Sequence, residues 1–141
     1  MRPTKKQREA LKAKFGGRCA YCGCELGARW CLDHVEPIMR KLKTVETERG
    51  YKLASTSESW RPELDNVENL MPACAPCNNH KHVFDLETWR GMIADSLDTL
   101  ARNYSTYRIA QRFGLVTEAR QPVVFWFERH ASSAMGANGG G

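Results

Sequence analysis

The chain has no run of eighteen apolar residues, so no segment is long enough to cross a bilayer as a helix. Its opening stretch, MRPTKKQREALKAKFGG, is charged and lacks the apolar core of a secretory signal. No internal repeat recurs, which sets aside solenoids and propellers. These absences lead us to expect a cytoplasmic protein with no membrane association. What remains is a 141-residue chain with 42% hydrophobic residues and a mean hydropathy of -0.54. That suits one soluble globular domain of modest core, expected over residues 1–130 and α+β by the elements read below, with 131–141 as a flexible tail ending ANGGG.

Charge is abundant and unevenly placed. The net value is +5. Residues 1–18 hold Arg2, Lys5, Lys6, Arg8, Lys12, Lys14 and Arg18 against Glu9 alone, a local balance of +6. A second basic run follows at Arg40, Lys41 and Lys43. Cations so grouped suit a polyanion, because each one that meets a phosphate releases counterions. A solubilising surface would carry the same charge.

Six cysteines are present: Cys19, Cys22, Cys24, Cys31, Cys74 and Cys77. In an intracellular setting, paired cysteines point to metal before disulfides. Cys19-Ala-Tyr-Cys22 and Cys74-Ala-Pro-Cys77 are two C-x2-C knuckles with 51 residues between them. A structural zinc ion takes four thiolates tetrahedrally at ~2.3 Å, and each knuckle can offer two. One pair alone would also suit a redox dithiol, but the second pair would then lack a role. Cys24 competes with Cys22 as a ligand, and the shared x2 spacing favours Cys22. Cys31 reads as a small buried hydrophobe.

Periodicity predicts a helix over residues 4–15, capped by Thr4, with Leu11 and Phe15 inward and Gly16-Gly17 as its stop. Residues 18–24 form a tight turn and 29–36 a strand. Residues 38–65 are polar with few apolar anchors, and we expect a long surface insertion with one short helix. A short helix is expected over 75–83 and a longer one from Asp85, burying Leu86, Trp89 or Arg90, Ile93, Leu97 and Leu100. Another should span 103–113, ended by Gly114, with Tyr107, Ile109, Phe113 and Leu115 packing a C-terminal lobe. Residues 105–115 resemble half of a helix-turn-helix, but no recognition helix follows. The run PVVFWFE over 122–128 reads as a strand.

Two polar segments flank the knuckles. They are Leu32-Asp33-His34-Val35-Glu36-Pro37 and the run from Asn69-Leu70-Met71 through Cys74 and Cys77 to Asn78-Asn79-His80-Lys81-His82. Together with the first knuckle they resemble the zinc-containing HNH endonuclease family. Its pattern runs C-x2-C, then D-H-x-x-P, then N-L-x-x-x-C-x-x-C-N-x-x-K. The match covers residues 18–82.

The resemblance implies a ββα-metal core and hydrolysis of phosphodiester bonds in double-stranded DNA. His34 would be the general base that activates water, and an imidazole pKa near ~6.5 suits that role. Asp33 and Asn78 would hold a catalytic magnesium or manganese ion, since both offer oxygen. Asn69 would tie the loop between the strands and orient His34. Lys81 and His82 lie at +3 and +4 from Asn78, on its helical face, and would meet the phosphate. A basic N-terminal helix would clamp the DNA backbone. Cutting both strands would call for a homodimer or a partner protein. Alternation along a strand sends Asp33 and His34 to opposite faces unless the strand ends there. The competing expectation is an inactive zinc-knuckle module that binds nucleic acid or another protein.

Overall fold

The computed structural model describes residues 2–137. These form two compact units: residues up to Asp85 together with those from Phe125 onward, and Leu86–Val124. The architecture is mixed α+β with two small antiparallel sheets.

The first unit begins with α1 (Lys5–Lys14). Thr4 and Gln7 form a reciprocal capping box: the Gln7 amide N–H donates to Thr4 Oγ1, and the Thr4 N–H donates to Gln7 Oε1. Leu11 and Phe15 are buried, and Gly16 and Gly17 end the helix at positive φ. Strand β1 (Cys31–His34) follows the first knuckle. It pairs antiparallel with β4 (Leu70–Ala73), setting Asp33 opposite Met71 and His34 opposite Leu70. Helix α2 (Ala75–Lys81) starts directly after β4, with Cys74 as its N-cap and Pro76 in its first turn, where proline fits. His82 closes it with φ +50.

The expected irregular insertion is instead a hairpin. Strands β2 (Arg40–Thr47) and β3 (Gly50–Ser59) pair antiparallel around a Glu48-Arg49 turn. Gly50 there sits at φ +113, and Thr47 Oγ1 donates to its carbonyl. The hairpin escapes a search for alternation because one face is wholly exposed and the other mixes half-buried Val45 and Ala54 with exposed Lys43 and Lys52, so no apolar period marks it. A 3-10 turn, Pro62–Leu64, leads back to the core, and a second, Val67–Asn69, precedes β4.

The second unit holds α3 (Leu86–Ala94), α4 (Ser96–Asn103) and α5 (Ser105–Arg112). The single long helix expected from Asp85 is divided at Asp95. Trp89 is buried and Leu86, Ile93 and Leu97 are half-buried, while Leu100 is exposed. Ile109, Phe113 and Leu115 are exposed rather than packed, and among the described residues no helix follows Gly114 until α6.

The run read as a strand over 122–128 instead starts a helix, α6 (Trp126–Ala137). The first amides of a helix need acceptors from elsewhere. Here Trp126 N–H donates to Tyr21 O and Phe127 N–H to Ala20 O, so the first knuckle receives the helix start. Phe125 and Phe127 pack edge-on against Tyr21. Trp126 lies over Gly23, where an added Cβ would fall 2.3 Å from Cδ1, and Gly23 also holds φ +79. Helix α6 runs into the segment expected as a tail; residues 138–141 lie outside the described residues.

Candidate functional site

The two knuckles come from opposite ends of the motif region and meet. The Sγ atoms of Cys19, Cys22, Cys74 and Cys77 all lie within 4.8 Å of one another. Cys22 and Cys74 sulfurs are 3.8 Å apart, the edge of a tetrahedron with zinc–sulfur bonds of ~2.3 Å. The backbone builds this proximity. Gly23 N–H donates to Cys19 O, Cys19 N–H to Cys24 O, and Ala20 N–H to Pro72 O on β4. A hydrogen bond from Cys77 draws the Cys19 pKa down to about 4, and the same contact with Cys19 pushes Cys77 well up. Deprotonating all four this close sets thiolates against one another, and a divalent cation relieves that repulsion. The donor set and spacing therefore fit a structural zinc ion, with all four positions filled by protein.

Cys24 is outside this group. Desolvation, then hydrogen bonds to Cys22 and Cys74, raise its thiol to about 12. Cys31 is half-buried on β1, opposite Ala73.

The polar segments gather beside the cysteines. A cleft of about 470 Å3 is lined by Asp33, His34, Asn78 and His82, with Arg40, Leu42 and Ser55 contributed by the hairpin. Asp33 and His34 both reach it, for β1 ends at His34. Asp33 is buried, 7% exposed, and His34 half-buried. Asn78 is half-buried on α2, and His82 is exposed at its end.

Asn69 fixes the chain that follows His34. Its Oδ1 accepts from Glu36 N–H at 2.9 Å, and its Nδ2 donates to Glu36 O at 2.8 Å and Leu64 O at 2.9 Å. Its backbone carbonyl accepts from Val35 N–H. One side chain thus holds both the strand exit and the end of the Pro62–Leu64 turn.

Lys81 occupies a place unlike the phosphate contact suggested by the resemblance. It is fully buried, and Nζ lies 3.1 Å from Asp33 Oδ2 while donating to His34 O at 2.8 Å. Tyr21 Oη also donates to Asp33 Oδ2. Burial first, and the Asp33 carboxylate second, push the Tyr21 phenol far above its usual range, so it stays a donor. Both contacts fall on Oδ2, and neither involves Oδ1.

Sequence reasoning missed two residues. Asp65 Oδ1 sits 3.0 Å from His34 Nε2, with both side chains mostly buried. A carboxylate only accepts, so Nε2 carries a proton toward Asp65. Nothing local marks Asp65, which lies 31 residues from His34 and is placed by the Pro62–Leu64 turn. Tyr21 stands inside the first knuckle, where its aromatic character signals packing but not its bond to Asp33.

Among the described residues no helix is long and apolar enough to cross a membrane. Comparison with protein-family models, with curated proteins and with solved structures returns no match to this chain.

Proposed function

We propose that this chain is a metal-dependent endonuclease of the HNH type, hydrolysing phosphodiester bonds in DNA. One observation carries the reading: Asp33, His34, Asn78 and His82 line a single cleft beside the four-cysteine cluster. Two antiparallel strands, β1 and β4, followed directly by α2, support a ββα-metal core. The four cysteines then hold zinc as a structural staple and take no part in chemistry.

In this reading His34 Nδ1 accepts the proton of the attacking water. Asp65 keeps the imidazole in the tautomer that leaves Nδ1 free, and Asn69 holds the backbone that carries the ring. Asp33 and the Asn78 amide oxygen offer hard oxygen donors on the cleft wall, which fit magnesium or manganese. Such an ion supplies charge neutralisation at the phosphate when bound. Lys81 and Tyr21 position Asp33 through Oδ2. His82, exposed at the cleft, would meet the phosphate, and the cations of α1 would serve the DNA backbone.

The test is conversion of supercoiled plasmid to nicked or linear form in magnesium or manganese. Parent protein should cut, and a His34→Ala variant should lose at least about a hundredfold, the share a general base contributes. Equal cutting by the variant removes His34 as base. A parent that binds DNA but never cuts it turns the reading to a zinc-stabilised binding module.

A further inference from the structure

The hairpin is the largest element that the proposed chemistry leaves without a role. Its register sorts side chains onto two faces. Leu42 is opposite Ser55, Thr44 opposite Leu53 and Glu46 opposite Tyr51, and these six share one face. All six are exposed, Leu53 at 68% and Tyr51 at 76%. Leu42 and Ser55, at the base of this face, are also part of the cleft wall that holds Asp33 and His34. The face therefore continues the wall of the site outward.

Charge indicates the occupant. The hairpin carries Arg40, Lys41, Lys43, Arg49 and Lys52 against Glu46, Glu48 and Glu58. Lys41 is held by Glu58 at 3.2 Å, and Arg40 donates to Ser57 O. Lys43, Arg49 and Lys52 are exposed and form no ion pair among the described residues. A major groove of ~12 Å admits a two-stranded ribbon. The eight residues of β2 extend ~26 Å, or about eight base pairs at ~3.4 Å each. Lys43 and Lys52 stand on the back face of a ribbon ~5 Å wide, where long lysine chains can still reach the flanking phosphates.

We propose that β2 and β3 form a DNA-contact arm. It lies along the major groove of duplex DNA next to the scissile phosphate, with the Thr44, Tyr51, Leu53 and Ser55 face toward the bases and Lys43, Arg49 and Lys52 at the phosphates. This rests on the nuclease reading and adds the length and groove of the substrate.

The test uses the full chain. Binding of a 20-base-pair duplex is followed by fluorescence anisotropy across a salt series, in a His34→Ala background that prevents cutting. Hydrolysis of bis(p-nitrophenyl) phosphate is followed in the parent background. A Lys43→Ala, Arg49→Ala, Lys52→Ala triple variant should weaken duplex binding at least about tenfold and flatten the slope of log K against log salt by about 3. Its turnover of the small diester should match the parent. If the triple variant binds duplex with unchanged affinity and slope while the parent cuts DNA, the arm is overturned and the nuclease reading stands. If the parent cuts neither plasmid nor the small diester, the nuclease reading fails and the arm loses its footing with it. A parent that sediments as a dimer, becomes monomeric when Leu42, Tyr51 and Leu53 are changed to Ser, and keeps its DNA affinity assigns the exposed face to a second copy. That outcome also overturns the arm.

Discussion

Replacing Lys81 with Met separates two roles that share one position. The ammonium is fully buried and sits 3.1 Å from the Asp33 carboxylate, itself 8% exposed on its side chain. Methionine keeps most of the volume and deletes the cation. Among the described residues Asp33 would then be a buried carboxylate held by Tyr21 alone, and His34 O would lose the Lys81 donor. Breaking one side of a buried pair costs about 3–5 kcal/mol, more than the pair adds when intact. Against a total of ~5–15 kcal/mol, that is a large part of the stability. At roughly 3–4 °C per kcal/mol, the thermal midpoint should fall about 10–20 °C. Circular dichroism with saturating zinc reads this directly. Adding Asp33→Asn removes the orphaned charge and should restore about 2 kcal/mol, a coupling that only paired groups show. Should Lys81→Met lose less than ~1 kcal/mol yet bind duplex DNA more weakly, the reasoning is refuted, and Lys81 belongs at the phosphate.

Asp65 should act on rate more than on affinity: Asp65→Ala lowers kcat about a hundredfold with KM nearly unchanged, while Asp65→Asn, which still accepts from Nε2–H, loses about tenfold. An Ala variant with parental kcat would remove Asp65 from the machinery. Chelation of zinc should abolish the cooperative thermal transition, with about one ion released per chain, and acidification should release it too because protons compete for thiolates. A metal-free chain with an unchanged melting curve would show that the cysteines do not staple the fold. Tyr21→Phe should cost about 1–2 kcal/mol at neutral pH by stripping a donor from a buried carboxylate. The Tyr21 pKa is raised above its unfolded value of 10.0, so its stabilisation is whole below that pH and is lost as pH rises past it. Urea midpoints of the parent should therefore drop faster above pH ~10 than those of the Phe variant, and parallel curves would contradict this.

What was legible in the sequence is local, and what was not depends on contacts distant along the chain. Helix α1 announces itself through Thr4, the Leu11 and Phe15 spacing and the Gly16-Gly17 stop, all local to one element. The knuckles are legible because a C-x2-C turn has few structural uses, and two of them suggest a shared ion. The hairpin was missed because its exposed faces remove the apolar alternation by which a strand is recognised. The α6 start was misread for the opposite reason. Val123 to Phe127 has the β-branched and aromatic content of a strand, but the Trp126 and Phe127 amides are taken by carbonyls of the first knuckle, roughly a hundred residues earlier. Lys81 shows the same limit within one helix. Spacing correctly sets it one turn from Asn78, but cannot say that the inner end of that turn meets a buried carboxylate. Once Asp33 is there, a lysine becomes the side chain long enough to reach both it and His34 O, and a cation that looked like a surface phosphate contact becomes part of the core. The site and the core are thus not separable in this unit. Asp33, His34 and Lys81 are joined by bonds of 3.1 Å and 2.8 Å, so any change that loosens the packing of α2 on β1 should move His34 with it.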